Sequence, residues 1–384
     1  MIPPDYPSHR VGPQRRGIRS PFALFFGLCP LLGHAEYQLN LHAPATDLAR
    51  EIYDLHTLIL WICLAIFVVV FIPMFIAIVR HRKAAGHPAA KFHENLRVEI
   101  LWTVIPVLIL VGMAWPATKL VVSMKDTSKE DLTIKVTGHQ WKWEYEYLGD
   151  DIRFISNTST PKEQIDGTQA KGENYLLEVD HPLVVPAGKK VRLVMTSSDV
   201  IHSWWVPAFG VKQDAIPGFI RDAWFKADTP GVYRGQCAEL CGVGHGYMPV
   251  VVEVLASEEY AHWKDGQKAQ LAAASANAGK TYGMDEMKSM GEKVFTANCM
   301  ACHQATGMGI PGAFPALVGS KIVNGDKSGH IDMVLNGKPG TAMAAFGKQL
   351  SDVDLAAVIT YERNSWTNAT GEVVQPTDIA ARRK

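Results

Sequence analysis

The chain has 384 residues, and its 38 basic and 38 acidic side chains balance to a formal net charge of zero. That length holds two or three domains, and the neutral balance argues against nucleic acid as a partner. The six cysteines fall as a pair at Cys237 and Cys241, a pair at Cys299 and Cys302, Cys63 inside an apolar run and Cys29 near the start, so no thiols are left over for a disulfide framework.

Residues 1–35 read as an export signal: Arg15, Arg16 and Arg19 give a basic start, Phe22 to Leu32 is apolar, and Gly33-His34-Ala35 offers a small-residue cleavage site. Cys29 resembles a lipoprotein cysteine only loosely, because Leu28 precedes it. Residues 36–123 read as a transmembrane hairpin. Thr57 to Val79 and Ile100 to Thr118 are uncharged apart from Lys119 just beyond, and the expected helices cover about 55–79 and 100–122. Each is long enough to cross a hydrocarbon core of ~30 Å. Pro73 and Pro106 lie inside them, which membrane helices tolerate. Trp61, Trp102 and Trp115 fall toward the ends, as interfacial anchors do. The connection carries Arg80, Arg82, Lys83, Lys91 and Arg97, which makes it cytoplasmic by the positive-inside rule. Everything after residue 123 then lies outside, in the periplasm of a Gram-negative cell. The competing reading is a pair of buried helices in a soluble domain.

From Leu132 the texture changes. Leu132–Thr137, Trp141–Tyr147, Tyr175–Val179, Lys190–Thr196 and Met248–Val254 read as strands, punctuated by Gly, Pro, Asp and Asn. Short strands with turns between them predict a β-sandwich over residues 124–256. Within it, Cys237-x3-Cys241-x3-His245-x2-Met248 gathers thiolate, imidazole and thioether, the soft donors that select copper. Two thiolates can bridge two copper ions as one delocalised pair, whose bonding changes little when an electron is gained or lost. The alternatives are a disulfide or a Cys-based zinc site, but zinc has no use for the methionine. His202, in Asp199-Val-Ile-His-Ser-Trp-Trp205, can reach this loop only by tertiary folding. His139 and His181 read as structural or solvated.

Residues 257–283 read as a helix over Ser257 to Ala274 followed by a linker. Cys299-Met-Ala-Cys-His303 is a C-x-x-C-H, in which two thioether bonds anchor a haem and the histidine supplies one axial ligand. A redox or zinc C-x-x-C is the alternative. Met284 to Ala297 is the expected preceding helix, and the run from Ser351 to Tyr361, with a serine cap and acids in its first turn, the closing one. Met343 is the choice for the sixth iron ligand, with Met333 and Met308 competing. Met333 falls in a helix-like segment where a core role is favoured. This all-α domain covers 284–366, with 367–384 as a C-terminal tail.

These pieces, in this order, resemble subunit II of the haem–copper cytochrome c oxidases, in the bacterial form with a fused cytochrome c domain. The resemblance rests on the copper-type motif with upstream His202, on Gly138-His-Gln-Trp-Lys-Trp-Glu-Tyr-Glu-Tyr147 and on Lys212-Gln-Asp-Ala-Ile-Pro-Gly218. It implies a multidomain chain: a two-helix transmembrane hairpin, a cupredoxin-like Greek-key β-sandwich and an all-α cytochrome c domain. It implies a dinuclear copper A centre, bridged by Cys237 and Cys241. His202 and His245 would each bind one copper, with Met248 and the Glu239 carbonyl as weak axial ligands. The Glu239 side chain matches a carboxylate that reaches magnesium at the contact with subunit I. Trp141 matches the aromatic residue of electron entry, and Glu99 a carboxylate near a proton pathway; Glu99 as a plain interfacial carboxylate, and Trp141 and Trp143 as packing aromatics, are the bland readings. Phe314-Pro-Ala-Leu317 resembles the segment on the histidine side of a c-type haem, where the Pro315 carbonyl would accept the His303 ring hydrogen bond.

The implied function is electron transfer from a soluble cytochrome c through a covalent haem c and copper A to subunit I, where oxygen is reduced to water with proton translocation. Subunits I and III and membrane lipid are the implied partners, in a bacterial inner membrane. Two spans without a histidine-bearing helical bundle cannot themselves hold an oxygen-reducing site. Subunit II of a copper-A-type nitric oxide reductase is an alternative; a membrane copper-handling protein is another, but leaves the covalent haem unexplained. The intact ligand set excludes a copper-free quinol oxidase subunit.

Overall fold

The computed structural model describes residues 40–86, 93–277, 279–339, 341–347 and 349–383. The export signal, Cys29 and Lys91 lie outside these residues. Two long helices come first, α1 (Asp47–Arg80) and α2 (Leu96–Lys125). Both are long and apolar enough to cross a membrane, and their most apolar windows are not buried by the rest of the chain. At 34 residues, α1 is about 50 Å long, well beyond the ~30 Å of hydrocarbon. Both helices overrun the apolar runs because capping, not hydropathy, sets their ends. Thr46 accepts from Ala49 N at the start of α1, and Asn95 from Val98 N at the start of α2.

The overhang is used for attachment. Thr46 Oγ1 donates to Phe209 O at 2.9 Å, and Trp224 Nε1 donates to Ser123 O at 3.1 Å. Leu48 and Leu120 are buried in the same core as the strands that follow. Gly210 permits this junction. Its φ is +68°, and a Cβ there would stand 2.9 Å from Ala49 Cα.

Those strands are β1 (Leu132–His139), β2 (Lys142–Tyr147), β3 (Ile152–Ser156), β4 (Leu183–Pro186), β5 (Val191–Ser197), β6 (His202–Val206), β7 (Val211–Ala215), β8 (Arg221–Phe225), β9 (Gly231–Cys237) and β10 (Pro249–Leu255). A short helix, α3 (Lys162–Ile165), lies between β3 and β4. The strands form two five-stranded sheets, ordered β3-β2-β1-β5-β8 and β4-β10-β9-β6-β7. Trp143, Tyr145, Leu193, Trp204, Phe209 and Phe225 fill the space between them with no exposure, the large aromatic burial that dominates such cores.

One expected strand fails. Tyr175–Val179 is a turn followed by irregular backbone, held by an isolated bridge from Val179 to Thr158 and by the ion pair of Glu178 with Arg234 on β9. Leu176 has φ +60°, and its N–H donates to the Thr160 hydroxyl rather than to a ladder. The apolar pattern imitated a strand, while Gly172 and Asn174 open turns in front of it.

α4 (Ser257–Asn277) follows. Tyr260 and Trp263 pack against the sandwich core, with Trp263 5.3 Å from the Tyr147 ring. The helix expected over Ser257 to Ala274 thus forms, runs on to Asn277, and docks on the sandwich. A second core is built from α5 (Met284–Asn298), α6 (Met300–His303), α7 (Lys327–Asn336), α8 (Asp352–Arg363) and α9 (Pro376–Ala380). α5 and α8 cross at Gly291, where a Cβ would lie 2.1 Å from Ala357 O. Within the C-terminal segment, Val374 and Ile379 have no exposure, and Arg382 pairs with Asp332 on α7. Pro376 and Gln375 start and cap α9.

Candidate metal and haem sites

β9 ends at Cys237 and β10 begins at Pro249, so the eleven-residue loop between them folds back over one end of the sandwich. β6 starts beside it. Trp204 pairs with Cys237, and the Ala238 N–H donates to Ser203 O at 2.9 Å. This register brings His202 to a loop more than thirty residues away. Cys237 Sγ lies 3.9 Å from Cys241 Sγ, 4.0 Å from His202 Nδ1 and 3.4 Å from the Glu239 carbonyl oxygen. Cys241 Sγ lies 3.5 Å from His245 Nδ1 and 3.5 Å from Met248 Sδ. The groups drawn from the sequence thus converge on two sulfurs. Cys237, Cys241, His202 and Met248 are all buried. His202, Cys237 and Cys241 offer ligand atoms within 4.8 Å of one another.

The electrostatics follow from proximity. A hydrogen bond from Cys241 holds the Cys237 thiol down at about 3. The same partnership, with burial and the neighbouring thiolate, pushes Cys241 far up. One proton leaves this pair readily and the second does not, unless a cation takes its place. The donor set, two thiols, two imidazoles, a thioether and a carbonyl, fits soft copper and gives zinc no tetrahedral subset that uses the methionine.

Around this cluster stand groups that the motif did not single out. Asp199 Oδ1 lies 2.9 Å from His202 Nε2, and its other oxygen accepts from Gln140 N at 2.7 Å. Burial opposes charge on Asp199, but these hydrogen bonds outweigh it and its pKa is lowered. Burial also opposes charge on His202, yet Asp199 and Cys237 raise its pKa. The His202 ring is thereby tied at Nε2, with Nδ1 facing the sulfurs. Gln140 Nε2 and Trp141 Nε1 both donate to Cys241 O, at 2.8 and 3.1 Å. Trp141 lies so close to the loop that a Cβ on Gly244 would fall 2.2 Å from its ring. Trp143 is fully buried and donates to Met248 O at 3.3 Å. His139 is buried between Glu144 and Ser198, and His181 lies at the surface beside Asp180. The Glu239 side chain is exposed. Glu99 sits in the first turn of α2, where Oε1 accepts from Asn95 N at 3.3 Å; that contact is a helix cap.

In the helical domain, α5 delivers Cys299, and the single turn of α6 carries Cys302 and His303. Cys299 and Cys302 are free thiols, and burial raises the pKa of each. His303 Nδ1 lies 3.0 Å from the Pro315 carbonyl oxygen, which fixes the ring and leaves Nε2 for another partner. A cleft of about 460 Å³ opens beside Met308, Phe314 and Pro315. Two thiols on one helical turn next to an oriented histidine fit a covalently held haem. Of the three candidate methionines, Met343 is partly buried against the domain core, as are Cys299 and Leu317. Met308 is 58% exposed, and Met333 lies within α7.

Comparison with known proteins places these sites in a family. Residues 34–120 match the transmembrane domain of cytochrome c oxidase subunit II and residues 132–255 its periplasmic domain. Residues 286–361 match the family described as cytochrome c oxidase, cbb3-type, subunit III. The probable cytochrome c oxidase subunit 2 of Rickettsia prowazekii is 41% identical over 231 residues, which cover 59% of this chain and 71% of the relative. The cytochrome c oxidase subunit 2 of Cereibacter sphaeroides is 38% identical over 57% of this chain and 77% of its own length. That of Arabidopsis thaliana is 38% identical over 64% and 95%. Among solved structures, the periplasmic domain of subunit II of cytochrome oxidase of Bradyrhizobium japonicum is 42% identical, with TM-score 0.34, over 38% of this chain and 98% of that one. The chain therefore belongs to the cytochrome c oxidase subunit II family, as a membrane-anchored member of the haem–copper oxidase complex whose cupredoxin-like periplasmic domain is followed by a cytochrome c domain.

Proposed function

We propose that this chain is the electron-entry subunit of a respiratory oxidase of the bacterial inner membrane, taking electrons at its cytochrome domain and handing them through its copper domain to subunit I. The observation that carries this reading is the convergence of four further donor groups on two cysteine sulfurs 3.9 Å apart, in a chain that also presents Cys299, Cys302 and a carbonyl-oriented His303.

Cys237 and Cys241 would bridge a copper pair, His202 and His245 would each hold one ion, and Met248 and the Glu239 carbonyl would complete the two ends. Cys299 and Cys302 would hold a haem c, with His303 and Met343 as axial ligands. When bound, these groups supply one-electron carriers, the methionine ligand favouring a high potential at the iron. The remaining work belongs to side chains. Asp199 orients the His202 ring and the Pro315 carbonyl the His303 ring. Trp141, half-buried, donates to the Cys241 carbonyl, and an electron would enter through it. The buried ligands exclude water, which limits the reorganisation that a change of charge would otherwise demand.

The hairpin would hold the copper domain over subunit I, with the exposed Glu239 side chain available to magnesium at that contact. Glu99 would lie near a proton pathway. Subunit III and a soluble cytochrome c donor complete the assembly, and the oxygen-reducing site lies in subunit I. The domain limits that go with this reading are a signal over 1–35, a hairpin to 123, a copper domain to 256 and a cytochrome domain from 284.

The test is Cys237→Ser in the assembled complex. The haem should remain reducible by a soluble cytochrome c while oxygen uptake stops. Retained oxygen uptake would refute the path. Nitric oxide consumption in place of oxygen uptake by the unaltered complex would instead select the nitric oxide reductase reading.

A further inference from the structure

Lys142 opens β2, directly after Trp141, and only 5% of it is exposed. Its Nζ donates to Asn298 Oδ1 at 3.0 Å and stands 4.7 Å from the centroid of the Phe346 ring. Both contacts cross from the sandwich to the helical domain. Asn298 is the last residue of α5, adjacent to Cys299, and its own Nδ2 is held by Val294 O at 3.1 Å. Phe346 is buried three residues beyond Met343. An ammonium is costly to bury: burial brings Lys142 down to about 8, against the raising influence of Cys299, Glu144 and Asp199. An apolar side chain would fill the same volume more cheaply, so the cation and its two directed contacts specify a geometry.

We propose that Lys142 is a positioning residue that docks the cytochrome domain on the copper domain, through Asn298 and Phe346, so that the haem-bearing segment faces Trp141. This rests on the electron-entry reading above and adds to it a fixed arrangement of the two domains. A docked geometry converts transfer between domains on a short tether into transfer across one defined contact.

The experiment uses the full oxidase with Lys142→Ala, Lys142→Arg and, on the opposite side of the contact, Asn298→Ala. Two readouts are compared: oxidation of the photoreduced haem by the copper domain, and amide hydrogen exchange over 298–300 and 341–346. Lys142→Ala and Asn298→Ala should slow the intramolecular step by roughly tenfold or more and speed exchange in both segments. Exchange in β5 and α8 should stay as it was, and Lys142→Arg should restore part of the rate. Unchanged rate and protection in Lys142→Ala would overturn the docking role, as would loss of protection throughout both domains. Absence of haem or copper from the unaltered chain would defeat the electron-entry reading instead, and the exchange comparison would still decide the docking.

Discussion

At the scale of single residues, the site divides into what touches the sulfurs and what aims the ligands. Asp199 belongs to the second group: it holds His202 Nε2 at 2.9 Å and the Gln140 N–H at 2.7 Å. Asp199→Asn keeps the shape but removes the charge that raises the basicity of the ring. Copper binding should weaken roughly 10- to 100-fold, as for other partners of ligand histidines. A chelator competition titration measures this, with an unaltered circular dichroism spectrum showing the fold intact. An unchanged affinity would mean that backbone pairing of β6 with β9 alone positions the ring. The four spaced donor residues of the loop were legible in the sequence because they lie within twelve residues. Gln140 and Lys142 were not, because each acts across the fold on partners that no spacing rule connects, and Asp199, though only three residues from His202, shows its role only through the orientation of that ring.

At the scale of elements, legibility followed local signals. Ser351 announced α8 by capping it, its hydroxyl accepting from Asp354 N at 3.1 Å. β1, β5 and β10 showed in the sequence as apolar or alternating runs, and β5 alternates buried with half-buried residues along its length. β3, β4 and β6 to β9 were missed: β3, β4 and β6 are only four or five residues long, and β7, β8 and β9 carry Lys, Gln, Asp or Arg inside them. α9 was missed because five residues cannot show a helical period. The α5–α8 crossing is an element contact with little tolerance, since a Cβ on Gly291 would lie 2.1 Å from Ala357 O. Gly291→Ala should destabilise the cytochrome domain by about 1–3 kcal/mol, the usual cost of an overpacked contact. The thermal transition followed at the haem should fall while that of the sandwich stays in place. Equal transitions in variant and parent would show that the helices slide apart without cost.

At the scale of the whole molecule, three parts with different solvents are joined by defined contacts. The membrane helices reach beyond their apolar segments and pack Leu48 and Leu120 into the sandwich core. α4 seats Tyr260 and Trp263 on that core as well. Lys142 connects the sandwich to the helical domain. The order of parts was legible from hydropathy and motifs, but the joins were not, since each is made by side chains whose partners are distant in sequence. The central claim is that the sandwich holds paired copper ions and the helical domain one covalent haem. The copper-to-haem ratio of the purified, fully assembled protein tests it most directly. The account predicts a pair of copper ions for each covalently attached haem. A single copper, zinc in its place, or an oxidised Cys237–Cys241 bond without metal would contradict it.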